Sequence, residues 1–227
     1  MASEVDICNM ALSELGDQAT VSSIDPPEGS AQAGKCARWY PICLDLMLEA
    51  DEWSFARRRA PLALLDQSVG TWRYVYARPA DCVKAWAVLP PDALNDYSVG
   101  FPQPSSQFIG LPVDRLIDAG AAYVPQDFTQ EIDDNERPII LTNQENAVLR
   151  YTKRITDTTR FTPLFTTAFA KLLASYLAGP IIKGDAGRDA ATKLYAEFTA
   201  ALAKASASDA NARQETVKQV VPWIGRR

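Results

Sequence analysis

The sequence predicts an α+β protein: a helical bundle built from both chain ends, an inserted antiparallel β region and an extended C-terminal tail. Three observations carry this. Apolar residues recur at helical spacing over the first fifty residues and again after Thr162. Between Ser54 and Ile155 the period falls towards two. No helical stretch separates neighbouring strand patterns there, which is an antiparallel signal. The expected division is a discontinuous helical core (1–54 with 156–210), a β region over 55–155 with long proline-rich loops, and a tail over 211–227.

Ser3 stands three residues before Asp6 in the spacing of a capping box, so a first helix starts there. Val5, Cys8, Leu12 and Leu15 supply its apolar face, and Gly16 suits the residue past its end. Pro26-Pro27 excludes regular helix from the loop that follows, and Ser30 can cap a second helix over about 31–50. The expected apolar stripe of that helix is Cys36, Trp39, Cys43, Leu46, Met47 and Ala50. Pro41 should bend it and let Trp39 and Tyr40 reach the first helix. Asp51-Glu52 ends the helix, and an arginine-rich strand is expected from Ser54. Helical and sheet packing should then meet at Trp53 and Phe55.

Trp72 to Tyr76 and Val83 to Leu89 each alternate, and Pro79-Ala80-Asp81 between them reads as a hairpin turn. A second hairpin is expected from Ile139-Ile140-Leu141, through the polar turn at Thr142 to Asn146, into Ala147–Ile155. Residues 90–136 carry six prolines with weak periodicity. Phe101, Phe108, Ile109 and Leu111 are too apolar for a plain linker there, and point to irregular strands or a loop ordered against a partner. Helix returns at Thr162-Pro163, an N-cap followed by proline at the first helical position. Phe165, Ala168, Phe169, Leu172, Leu173, Tyr176 and Leu177 give it a wide apolar face, and Gly179-Pro180 should end it. A last helix is expected from near Asp185, with Ala190, Leu194, Phe198, Ala201, Leu202 and Ala205 facing inward.

The chain has 227 residues, 47% of them hydrophobic, enough to bury a substantial core. Its formal charge of −5 argues against binding nucleic acid by neutralising phosphates. The N-terminus lacks the basic and apolar regions of a signal peptide, and no run of about eighteen apolar residues predicts a membrane span. Cys8, Cys36, Cys43 and Cys82 form no CxxC pair and read as buried reduced thiols of a chain made in the cytoplasm.

No catalytic constellation is present. Histidine is absent, which removes Ser-His-Asp and Cys-His arrangements, and no phosphate-cradling glycine loop occurs. Asp51/Glu52 and Asp133/Asp134 are acid pairs of the kind glycoside hydrolysis uses, but adjacent acids point in different directions. Asp133-Asp134-Asn135-Glu136 lacks the glycine and spacing of a calcium loop and reads as a solvated turn. No cofactor and no metal are expected. Arg57-Arg58-Arg59 is the single basic run. Ion pairs to the acidic surface explain it by default, with an interface or phosphate contact to DNA as the functional alternative. The tail, RQETVKQVVPWIGRR, sets Val217, Val220, Val221, Trp223 and Ile224 among basic residues that end in Arg226-Arg227. It cannot bury these side chains alone, so it packs back on its own domain or docks on a partner.

One ordered set of residues resembles a known family. Cys36 and Tyr40-Pro41 precede an acidic, leucine-rich helix, then Trp53-Ser54-Phe55-Ala56 and the basic strand. Asn9-Met10-Ala11-Leu12, Leu15-Gly16 and Ile24-Asp25 stand before them. Tyr76, Pro79-Ala80-Asp81-Cys82, Leu149-Arg150-Tyr151, Ile155-Thr156-Asp157, Phe161 and Pro163-Leu164-Phe165 follow. This pattern, from about Glu4 to Ala205, resembles the tail tubular protein A family. These are the head-to-tail adaptor or gatekeeper rings of short-tailed and related bacteriophages.

The resemblance implies a non-enzymatic virion protein at the head-tail junction. Its partners would be its own copies in a ring, typically of twelve, the portal protein and the tail nozzle. Genomic DNA would pass through the lumen without sequence-specific binding, and no membrane is involved. The resemblance does not extend to the tail, whose basic and apolar composition suggests that it docks on the portal with Trp223 as its anchor. The alternatives are another virion connector such as a tail terminator, or a carboxylate-dependent cell-wall hydrolase.

Overall fold

The computed structural model of the chain describes residues 2–18, 20–91 and 126–212. Four helices and seven strands run in the order α1 (Glu4–Glu14), α2 (Ala31–Ala50), β1 (Arg57–Pro61), β2 (Ala63–Leu64), β3 (Tyr74–Ala77), β4 (Cys82–Leu89), β5 (Phe128–Ile132), β6 (Pro138–Thr142), β7 (Val148–Lys153), α3 (Pro163–Ile182) and α4 (Gly184–Asn211). The protein is α+β. Its described residues fall into two compact units, one of residues up to Arg57 and from Thr152 onward, the other of Arg58–Tyr151.

The helical unit is assembled from well-marked ends. Ser3 and Asp6 form the full capping box of α1, with the Asp6 side chain accepting from the Ser3 backbone N–H at 2.8 Å. Gly16, at φ 73°, supplies the left-handed turn after α1 that other residues resist. Ser30 and Thr162 cap α2 and α3, Thr162 followed by Pro163 as the spacing requires. The Asn9 amide fastens α1 to the following loop from both ends, donating to the Val21 carbonyl at 3.0 Å and accepting from its N–H at 2.7 Å.

α3 packs against α1, α2 and α4, so ten of its residues from Phe165 to Ala178 are buried. Its length and hydropathy would also suffice to cross a membrane. Burial on several sides accounts for that apolarity, since a helix apolar all round belongs in a core. The Lys171 ammonium lies between Glu14 of α1 (3.3 Å) and Glu197 of α4 (2.7 Å), tying the three helices at their rim.

Three expectations about the helices are corrected. The buried face of α2 is Ala33, Cys36, Tyr40, Cys43, Leu44, Met47 and Leu48, whereas Leu46 and Ala50 are exposed. Trp39 packs on α3, stacking on Tyr176, and Tyr40 tilts against Phe169 of the same helix, each at 5.0 Å between ring centres, while Glu4 and Cys8 of α1 also act on the Tyr40 hydroxyl. α3 does not stop at Gly179-Pro180 but runs to Ile182, because a proline in the last turn removes a single donor. What ends α3 is Lys183, at φ 63° and ψ 165°, a region that in practice only glycine occupies. Its N–H still bonds the Gly179 carbonyl at 3.0 Å.

The β unit contains two sheets, of order β1-β7-β4 and β2-β3-β6-β5. Both expected hairpins are therefore corrected: β3 and β4 lie in different sheets, and so do β6 and β7. The short connectors carry the chain from one sheet to the other. Polar groups fix both crossings. At the first, Asp81 accepts from Arg58 and from the Tyr151 hydroxyl, both at 2.9 Å. Arg78 also donates back to the Cys82 and Val83 carbonyls at 2.7 and 2.8 Å. At the second, the Tyr76 hydroxyl donates to the Gln144 carbonyl at 2.9 Å.

Between the sheets lie Tyr76 and Ile140 from one and Ala85, Val88, Leu149 and Tyr151 from the other. The opposite faces of β3 and β6 bury Val75, Ile139 and Leu141 under Leu65, Val69 and Trp72, so that sheet is covered on both sides. Consecutive strands do pair antiparallel at β2–β3, across a nine-residue loop, and at β5–β6, a tight hairpin in which Ile132 pairs with Pro138. Its first strand, FTQEI, falls in the segment read as irregular. Phe101, Phe108, Ile109 and Leu111 lie outside the described residues.

Where α3 turns into α4 the backbones touch. A Cβ on Gly187 would sit 3.2 Å from the Ala178 carbonyl oxygen and 3.5 Å from the Gly179 Cα. Gly187→Val should lower stability by about 1–3 kcal/mol, the usual cost of forcing atoms into a packed contact. Lys183→Gly should raise it by about 1 kcal/mol by relieving the backbone. Denaturant midpoints that leave both variants at the wild-type value would refute this account of the corner.

Candidate functional site

Trp53 and Phe55, expected at the junction of helix and strand, sit in one aromatic cluster of the helical unit. Trp53 is fully buried, its ring edge-on to Phe165 at 4.9 Å and stacked against Phe55 at 6.1 Å. Phe55 meets Phe161 and Phe165 at 5.6 and 5.0 Å. The Trp53 indole N–H donates to the Met47 carbonyl at 2.6 Å, filling an acceptor that the end of α2 leaves open. Residues 54–56 form a turn and the strand starts at Arg57, three residues later than expected.

The basic run is engaged within the chain. Arg57 is largely buried and bonds Glu52 at 2.9 Å, Arg58 bonds Asp81 at 2.9 Å, and Arg59 also has a partner. Such pairs hold the strand's flanks in place.

The acid pairs have structural duties as well. Asp51 accepts from the Ser206 hydroxyl, and Glu52 takes Arg57. Asp133 organises the β5–β6 turn. One of its oxygens accepts from the backbone N–H groups of Asn135 and Arg137 at 2.9 and 2.8 Å, and the other pairs with the Arg137 guanidinium at 2.7 Å. Those bonds, the Arg137 backbone first, hold its carboxyl at about 2, below the ordinary 3.8.

Cys8, Cys36, Cys43 and Cys82 are buried and unpaired by disulfides. Burial pushes the Cys43 thiol up to about 12, and a thiol held protonated is inert. Among the described residues no three cysteine, aspartate or glutamate side chains converge as metal ligands.

One surface stands out. Trp39, Ile42 and Leu46 form a second apolar stripe on α2, and Ile42 and Leu46 are 45% and 40% exposed. Trp39 stacks on Tyr176 of α3, and Tyr176 lines a shallow hollow of about 340 Å³ with Ser175, Ala191, Thr192 and Tyr195. No charged side chain lines that hollow. The stripe and hollow make a continuous aromatic shelf across three helices. Sequence reasoning assigned Trp39 and Leu46 to the core and passed over Ile42 and Tyr195. The signal was there: residues 39, 42 and 46 share one helical face, distinct from that of Cys36, Tyr40, Cys43 and Met47. The predicted docking residues Val217, Val220, Val221, Trp223, Ile224, Arg226 and Arg227 lie outside the described residues.

No family model matches the chain, and no curated protein matches it either.

Two outcomes follow from the aromatic cluster and the acidic turn. Trp53→Phe keeps an aromatic ring but leaves the Met47 carbonyl without its donor, so the unfolding free energy should fall by about 1–3 kcal/mol. A variant as stable as wild type in denaturant titration would show that this bond carries no weight. For Asp133, the folded pKa lies below the unfolded one. Its contribution is therefore complete above the ordinary carboxylate range and disappears as pH falls towards about 2. The Asn135 and Arg137 amides of Asp133→Asn should exchange hydrogen faster than wild type at neutral pH, with the difference closing in strong acid. Equal exchange at both pH values would contradict this.

Proposed function

We propose that this chain is a non-enzymatic head-to-tail adaptor of a tailed bacteriophage. It would form a ring of about twelve copies between portal and tail nozzle through which genomic DNA passes. The observation that carries the reading is the ordered residue pattern from Glu4 to Ala205, similar to the tail tubular protein A family. The structure supports it by what those residues do. Tyr76, Asp81 and Tyr151 set the two sheet crossings, while Tyr40, Trp53, Phe55, Phe161 and Phe165 interlock around α3. They form a framework, as expected of a pattern kept for shape.

The architecture suits the role. A bundle made from both chain ends, with a β region inserted and a tail beyond, offers unlike faces for the head-to-tail contacts that close a ring. Charge suits it too. The tail's four basic residues against one acid leave +3 there, so the other 212 residues carry −8. An acidic lumen repels phosphates and lets DNA slide. The tail's basic residues would meet acidic groups of the portal. Being made in the host cytoplasm and carried in the virion fits four buried reduced thiols.

The solution mass of the purified chain, alone and mixed with portal rings of the same source, tests this. About twelve copies should join each portal, and a chain lacking Arg213–Arg227 should not. Rings that form alone and ignore the portal would favour a tail terminator. A chain that neither assembles nor joins the portal would overturn the proposal.

A further inference from the structure

α2 is apolar on two faces. One is buried in the helical unit. The other, Trp39, Ile42 and Leu46, continues through Tyr176 to the hollow beneath Tyr195, which is 51% exposed. A helix apolar on both sides has burial still to gain. The same chain carries fifteen residues, 213–227, past the last described turn of α4, and five of them (Val217, Val220, Val221, Trp223 and Ile224) are large and apolar.

We infer that the Val217–Ile224 segment of one copy binds the Trp39–Ile42–Leu46/Tyr176–Tyr195 shelf of the next copy. The inference rests on the ring reading, which supplies the neighbour, and it names the contact that joins the copies.

The match is chemical. Val220 to Gly225, VVPWIG, holds no charged residue, and no charged residue lines the hollow, so a side chain docked there strands no buried charge. Lys35, on the α2 face of Trp39 and Ile42, is exposed enough to stay at the rim. Pro222 keeps that stretch out of a regular helix interior, which suits an extended ligand on a shallow shelf. Trp223 is the natural anchor, offering a large ring to a surface already built of stacked aromatics. Lys218 and Arg226-Arg227 flank the apolar stretch and face a body of opposite net charge, which speeds encounter. Shelf and tail are different surfaces, so the contact is head-to-tail and can repeat around a ring. It places the apolar part of the tail on a neighbouring copy and leaves Arg226 and Arg227 to the portal.

The test uses a fluorescent peptide of residues 213–227 and the full-length chain carrying Trp223→Ala, whose own tail competes poorly. Saturable binding is expected. Adding Ile42→Glu or Tyr195→Ala, both at exposed positions, should weaken it about tenfold. No saturable binding, or binding that ignores both shelf variants, would overturn the inference. The intact wild-type chain then separates the two possible sources of the tail. Self-association that rises with concentration and is lost with Ile42→Glu or Trp223→Ala places the tail on a neighbour. A wild-type chain that stays monomeric yet excludes the peptide places the tail on its own shelf, and overturns a contact between copies. Portal binding is read separately. Shelf variants that fail to self-associate but still bind the portal leave the adaptor reading intact, and a wild-type chain blind to the portal removes that reading whatever the peptide does.

Discussion

The hydrogen bond from the Trp53 indole to the Met47 carbonyl is the constraint on which the helical unit depends. α2 ends at Ala50, its last carbonyls without partners in the helix, and seven residues later the chain must enter a strand. Water can satisfy those of the exposed Glu49 and Ala50, but the Met47 carbonyl is buried. Trp53 closes that carbonyl and at the same time offers its ring to Phe165, at the start of α3. The residues on either side extend the same anchorage. Asp51 takes the Ser206 hydroxyl, and Ser54 donates to Asp209 through its N–H at 2.8 Å and its hydroxyl at 2.6 Å. The end of α2, the start of α3 and the end of α4 thus converge on four consecutive residues. Of these bonds only the one from Trp53 to Met47 is buried, so its loss leaves an unpaired polar atom in the core.

How much of this was legible follows from the range of the interactions. Helix ends are local events, and Ser3, Ser30 and Thr162 cap the helices that their spacing announces. Strand positions were legible from period two, but pairing was not. Pro79-Ala80-Asp81 has the composition of a hairpin turn, and nothing in it says that Asp81 will be claimed by Arg58 and Tyr151 on two other strands. A short connector between alternating runs is compatible with a hairpin or with a crossing between sheets. Long-range partners decide which. β5 was missed for a different reason. Gln130, Glu131 and Ile132 are exposed and none of its residues is buried, so it carries too little of the alternation that announces a strand, and the Asp133 turn helps to fix it.

The phase of α2 is a subtler case. Trp39 and Leu46 are large and apolar, and a reading by hydrophobicity draws the core stripe through them. The core keeps Cys36, Cys43 and Met47 of the expected stripe and takes Tyr40, Leu44 and Leu48 in place of Trp39 and Leu46, turning the buried face round the helix. The cysteines are part of the reason. They are compact enough to let α1 and α3 approach α2, which larger side chains at 36 and 43 would prevent. The bulk that does not fit inside is left on the surface, where it makes the shelf.

That displacement bears on where a contact surface lies. A monomer gains little from Ile42, Leu46 and Tyr195 exposed in line with the half-buried Trp39 and Tyr176. Ile42 and Leu46 could be lysine or glutamate at little cost to the helices, since the buried face of α2 lies elsewhere. Chance apolar residues on a surface are scattered. These are contiguous across three helices, and two of them are stacked ring on ring. Stacking fixes the rings before any partner arrives, so little side-chain freedom is left to lose on binding. Together with an uncharged lining, this is how a surface made for contact differs from one that merely fails to be polar.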